Sequence, residues 1–191
     1  VPWLGTCTPL TASLSDVQTA ADHLRDQGWA RLPRLISQDG CQALVDHFDA
    51  RRREGHLSLD LRVGRHTDAD ADAGTAWHDA LTPVLEAVTG RALRRTFSFY
   101  SSYFGEAELP RHTDREACAW TLSILLRAQP AGTKWPLEVW PTDRPASADA
   151  TLLHVREGEA ALITGRTLPH GRSPLAAGAC VDVLLLHWVP L

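Results

Sequence analysis

The sequence has no methionine, a single lysine (Lys134), two tyrosines and four cysteines in 191 residues. With one lysine, Schiff-base chemistry would rest on one side chain. The cysteines, Cys7, Cys41, Cys118 and Cys180, are scattered and form no CxxC pair. That leaves a zinc ribbon or thioredoxin-type site unsupported, and reduced, mostly buried thiols of a cytoplasmic protein are expected. No apolar run approaches the ~20 residues a spanning helix needs. Residues 1–5 lack the basic flank and long apolar core of a signal peptide. Methionine is missing at position 1 too, so the expectation is a chain processed or cut from a longer one. Excess positive charge is also absent. The net charge is −4, so neither nucleic acid nor a membrane is an expected partner.

What is present fits a globule. The hydrophobic fraction of 44% is enough for a core and excludes global disorder. Thirteen glycines and twelve prolines exclude a coiled coil. The length suits one domain over residues 1–191, and no internal repeat points to a solenoid.

The first half reads helical. Ser15 is the expected N-cap of a helix through Gln27, with Val17, Ala21 and Leu24 on one face and Gly28 at its stop. Residues 29–35 form a short strand broken by Pro33. Ser37 caps a second helix with Cys41, Leu44, Val45 and Phe48 inward and three arginines at its C-terminal end, where they suit the helix dipole. A strand is expected over 57–63, a loop over 64–74 and a third helix over 75–88. From residue 91 the chain turns to short β-rich segments at 94–104, 118–127, 137–140, 151–155, 160–164 and 181–189, separated by Gly and Pro. Helices first and strands later predict an α+β fold. Residues 1–90 are a mainly helical support packed outside, and 91–191 form a β-sandwich or jelly roll.

Nine histidines direct attention to metals. Three His-x-Asp pairs occur, against about 0.7 expected from composition. His47 and Asp49 sit mid-helix and point apart. His66 and Asp68 fall in the expected loop. His112 and Asp114 lie between two strong strands, where residues i and i+2 of an extended chain share a face. His170, after a buried strand, a turn and a proline, is the candidate third ligand. Two imidazoles and one carboxylate on one face leave the opposite face of an octahedron open, as non-haem Fe(II) chemistry requires.

These residues resemble the Fe(II)/2-oxoglutarate-dependent oxygenases, in particular their prolyl-hydroxylase-like and phytanoyl-hydroxylase-like members. The resemblance rests on Tyr-x-x-Tyr-Phe-Gly before His-Thr-Asp, the Trp-Thr-Leu-Ser-Ile-Leu-Leu strand after it, Trp-Pro-Leu-Glu-Val-Trp, and Gly-Glu-Ala-Ala-Leu-Ile before the distal histidine. Gln-Gly-Trp-Ala-Arg-Leu-Pro near the N-terminus adds to it. It implies a double-stranded β-helix (cupin-like jelly roll) and an Fe(II) ion on His112, Asp114 and His170. It further implies 2-oxoglutarate and O2 as cosubstrates, and hydroxylation of an unactivated C–H bond of a small molecule, amino acid or peptide. A carboxylate at position 114 argues against a halogenase.

Many members carry a cation nine to fifteen residues past the distal histidine to hold the far carboxylate of 2-oxoglutarate. Here that stretch, around residues 179–185, has none. Arg172, on the face of His170, and Arg127, on the strand of Thr121, Ser123 and Leu125, are the substitutes. Tyr103 or Tyr100 would add a hydroxyl. His154 and His187 are expected as core or edge residues of strands, and His23, His56 and His78 at the surface. The competing reading is a cupin-like module that binds a metal, or none, without oxygenase activity. Nucleic-acid demethylation is disfavoured by the acidic charge. Oligomeric state and substrate identity stay open.

Overall fold

The structure, a computed structural model, describes residues 13–141 and 149–191. Cys7 lies outside the described residues. Helix α1 (Leu14–Gln27) starts at Ser13, two residues before the expected cap. Ser13 and Asp16 satisfy each other's backbone N–H in a capping box. Strand β1 (Trp29–Leu32) and helix α2 (Gln38–Arg53), capped by Ser37, follow as expected.

Residues 57–74 depart from expectation. Only Ser58–Asp60 (β2) is strand where 57–63 was expected, and the expected loop contains a second strand, Arg65–Ala69 (β3). Its polar residues hide the pattern, with no apolar stripe to mark the strand. Asp68, buried, takes the guanidinium of Arg51 on α2, and the backbone pairs with the next long strand. Helix α3 (Asp72–Thr89) ends at Gly90.

The β half comprises β4 (Leu93–Phe104), β5 (Leu109–His112), β6 (Trp120–Gln129), β7 (Leu137–Val139), β8 (Thr151–Leu153), β9 (Ala160–Ile163), β10 (His170–Arg172) and β11 (Cys180–Pro190). Two antiparallel sheets result. The larger runs β1-β9-β6-β11-β4-β3-β2 and the smaller β5-β10-β7-β8. This is the double-stranded β-helix, with the helices on the outer face of the larger sheet.

Period-2 alternation builds both faces of that sheet. Leu122, Ile124, Leu184, Leu186 and Trp188 point outward to Leu44, Phe48, Leu81 and Leu85 of the helices. Between them, Thr121, Ser123, Val183, Leu185 and His187 face the space between the sheets. His78, expected at the surface, is buried instead. Its Nε2 lies 2.8 Å from the His187 carbonyl and its ring stands edge-on to Trp188. The spacing of His78, Leu81 and Leu85 places it on the apolar face of α3, and burial pushes its pKa down to about 4. Among the described residues, no helix is long and apolar enough to cross a membrane.

Candidate metal centre

His112 ends β5 and His170 opens β10, and the two residues are direct partners in the antiparallel register. Gly171 permits this closeness, because a Cβ there would press on the Leu109 carbonyl and the Arg111 backbone. Asp114 follows two residues after His112, held by its N–H on the Gly165 carbonyl at 2.8 Å. One ligand atom from each of His112, Asp114 and His170 lies within 4.8 Å of the other two.

The local hydrogen bonds suit a metal. His112 Nδ1 donates to the Pro110 carbonyl at 2.8 Å, and His170 Nδ1 to that of Leu168 at 2.9 Å. Each bond fixes the tautomer and leaves Nε2 with a lone pair. Those two Nε2 atoms lie 3.8 and 3.6 Å from the same oxygen, Asp114 Oδ1. The other oxygen, Oδ2, accepts from Thr121 at 2.6 Å. Burial acts to raise the Asp114 pKa, but contacts with His170 and Thr121 hold it below the usual carboxylate value. The set is thus two imidazoles and one carboxylate, oriented by outer bonds.

Gly165 belongs to this frame. A Cβ there would fall on Asp114 Oδ2 and Thr121 Oγ1, with the Cys118 carbonyl at 3.0 Å. Gly165→Ala is expected to weaken the hold of these three residues on a divalent metal about tenfold or more, without unfolding the protein. Iron titration alongside a melting curve checks this.

The triad opens on a cavity of about 360 Å³ between the sheets. Arg172 lines it, as the face-sharing with His170 predicts, and is only 6% exposed. Its guanidinium donates to the Trp135 carbonyl and to Ser123 Oγ (3.3 Å), and lies over the Trp135 ring. Among the described residues no carboxylate pairs with it, and burial pulls its pKa down to about 10. Tyr103 is buried on the same cavity, its hydroxyl 3.4 Å from Arg65 Nη1.

Arg127 is a correction. It faces α2, not the cavity, and binds Asp182 (Nε, 2.5 Å) and Asp49 (2.9 and 3.3 Å). A β-bulge is the reason. Asp182 and Val183 pair with Arg127 and Leu125, so Leu126 is an extra residue and the alternation inverts beyond it. Tyr100 also faces outward, stacked on Phe48 and donating to Asp182 at 2.9 Å. It lies three positions from Tyr103, an odd spacing, so strand alternation forbids both hydroxyls on one face.

His187 goes beyond its expected role of core residue. It lines the cavity, stacks on Phe97, and donates Nδ1–H to the Phe97 carbonyl at 3.1 Å. Burial pushes its pKa down to about 4. Its i+2 relation to Leu185 and Val183 on β11 was the available signal. The Thr133-Lys134-Trp135 loop lines a second cavity, of about 820 Å³, which shares Arg172 and Val183 with the first.

No family model and no curated protein matches this sequence. Solved structures match over nearly the whole chain. A Pseudomonas putida prolyl-4-hydroxylase aligns with a TM-score of 0.71 at 18% identity, covering 92% of this chain and 99% of its own. The non-haem α-ketoglutarate-dependent epimerase SnoN from nogalamycin biosynthesis aligns at 0.74 and 13% identity, covering 92% and 81%. HygX from Streptomyces hygroscopicus, solved with nickel and 2-oxoglutarate bound, aligns at 0.70 and 11%, covering 90% and 86%. The chain has the fold of the non-haem Fe(II)/2-oxoglutarate oxygenases. At these identities the likeness is one of fold.

Proposed function

We propose that the protein is a non-haem Fe(II)- and 2-oxoglutarate-dependent dioxygenase that hydroxylates an unactivated C–H bond of a small molecule, amino acid or peptide. The observation that carries this reading is one cavity lined by both a convergent His-Asp-His set and a buried guanidinium that no carboxylate pairs with among the described residues. His112, Asp114 and His170 hold Fe(II) on this reading, through two Nε2 lone pairs and Oδ1. Iron with 2-oxoglutarate and O2 supplies oxidative decarboxylation to succinate and CO2, coupled to insertion of one oxygen atom into substrate.

The chain's own residues bind and orient. Arg172 sits two residues past His170, about 6–7 Å along the strand, at a reach suited to the far carboxylate of a five-carbon dicarboxylate. Its planar fork matches a carboxylate bidentately. Tyr103 offers a hydroxyl on the same cavity. Arg127 has no part in the site, being committed to Asp182 and Asp49. Phe97 and Phe99 give an apolar wall on which a C–H-bearing substrate can lie. Three unpaired cysteines among the described residues suit a reducing, cytoplasmic setting.

Anaerobic addition of Fe(II) and 2-oxoglutarate should give a weak visible charge-transfer band, and O2 should then release succinate. His112→Ala and Asp114→Ala should do neither. A band that persists in both variants would overturn the assignment and leave the non-oxygenase cupin-like module. Mass spectrometry for the gain of one oxygen across candidate substrates then separates hydroxylation from other reactions of this fold.

A further inference from the structure

Asp114 belongs to a second set of potential ligands. One of its carboxylate oxygens, Cys118 Sγ and a ring nitrogen of His187 all lie within 4.8 Å of one another. Cys118 is buried, in no disulfide, and four residues past Asp114 in the turn that leads into β6. His187 comes from β11, across the floor of the cavity. Its Nδ1 is occupied by the Phe97 carbonyl, so Nε2 is the nitrogen with a free lone pair. All three residues line the same cavity. The donors differ in kind from the first set: thiolate, imidazole and carboxylate suit a soft or borderline ion, whereas two imidazoles and a carboxylate suit Fe(II).

We infer that Asp114, Cys118 and His187 form a second metal site, for Zn²⁺ or a similar thiophilic divalent ion, sharing its carboxylate with the His112–Asp114–His170 set. Binding exchanges the Cys118 S–H proton for the metal: the S–H bond breaks, a metal–sulfur bond forms and the proton goes to solvent. There is no redox step. Because Asp114 is common to both sets, a zinc ion in the second withdraws the carboxylate from the first. The device makes the enzyme sensitive to zinc through a ligand that iron does not use. The site itself stands without the iron reading, and only the competition rests on it.

Cobalt(II) titration of the metal-free protein tests the site directly. The wild type should develop the near-ultraviolet sulfur-to-cobalt charge-transfer band at one equivalent. Cys118→Ala should lose it, and His112→Ala should keep it, since His112 is not a ligand of this set. A cadmium NMR resonance of the wild type in the range for one sulfur among nitrogen and oxygen donors gives the same answer without a variant. No sulfur band, a band that survives Cys118→Ala, or a band that disappears with His112 would each overturn the proposal. For the competition, zinc should suppress the visible Fe(II)–2-oxoglutarate band about tenfold more effectively in wild type than in Cys118→Ala. If the iron band never forms while the cobalt band does, the oxygenase reading fails and the thiolate site remains.

Discussion

Arg172→Met is expected to weaken 2-oxoglutarate binding about 100-fold or more while raising the melting temperature of the ligand-free protein by about 2–5 °C. The two effects share one cause. Arg172 is a cation nearly removed from water, and no carboxylate among the described residues compensates it. Burial pulls its pKa down to about 10, with Tyr103 and Glu138 acting the other way. A base depressed in the folded state costs stability wherever it is charged in both states, here by a few kcal/mol at neutral pH. Above pH 10, until the unfolded arginine itself loses its proton, the unfolded chain holds more protons than the folded one. Stability against this term therefore recovers as pH rises through that window. Methionine removes the charge and keeps an unbranched stem against the Trp135 ring. The lost bonds to Trp135 and Ser123 offset part of the gain, at about 1 kcal/mol each. Calorimetry with and without 2-oxoglutarate reads both halves. The ligand should stabilise the wild type and not the variant. A variant that melts several degrees lower while still binding 2-oxoglutarate would mark Arg172 as structural.

The sequence carries the helices and the long strands well, because hydrophobic periodicity and caps are local signals. Ser37 and Gly28 stand where composition places them. His112, Asp114 and His170 were legible for a related reason. A His-x-Asp between two strong strands is an extended fork, and the proline-turn before His170 forces a chain reversal toward it. What failed was parity. Arg127 was placed with Thr121 and Ser123 by counting twos, and one extra residue in β6 turned it to the other face. Nothing in Leu-Leu-Arg-Ala announces a bulge. The partner that the outward guanidinium meets, Asp182, lies on another strand. β3 was missed for the converse reason. Its Asp68 and Arg65 are bonded to Arg51 and Tyr103, distant in sequence, and the strand shows no apolar stripe. Cys118 and His187 converge only through the pairing of β6 with β11, which no spacing in the chain encodes.

The bulge that removes Arg127 from the cavity gives it a second role, and this sets the other large expectation. Arg127→Met should lower stability by about 3–5 kcal/mol, near 10 °C in melting temperature, and leave iron and 2-oxoglutarate binding intact in the folded fraction. Asp182 is wholly buried, with one oxygen on Tyr100 and the other on Arg127. Asp49 on α2 accepts from the same guanidinium and from Arg52 at 2.6 Å. Removing Arg127 leaves the wholly buried Asp182 carboxylate with a single hydroxyl donor, a far greater cost than losing an exposed ion pair. The double variant Arg127→Met/Asp182→Asn removes the stranded charge and should recover most of the loss. A single variant that melts within 1–2 °C of wild type, or a double variant no better than the single, would show that the charge is not buried as described. Set beside Arg172, the same side chain is expected to act with opposite signs. Paired with two aspartates it holds a helix on the sheet, and unpaired beside the triad it costs stability and waits for an anion. A matched pair of methionine variants, measured in one buffer, tests that distinction directly.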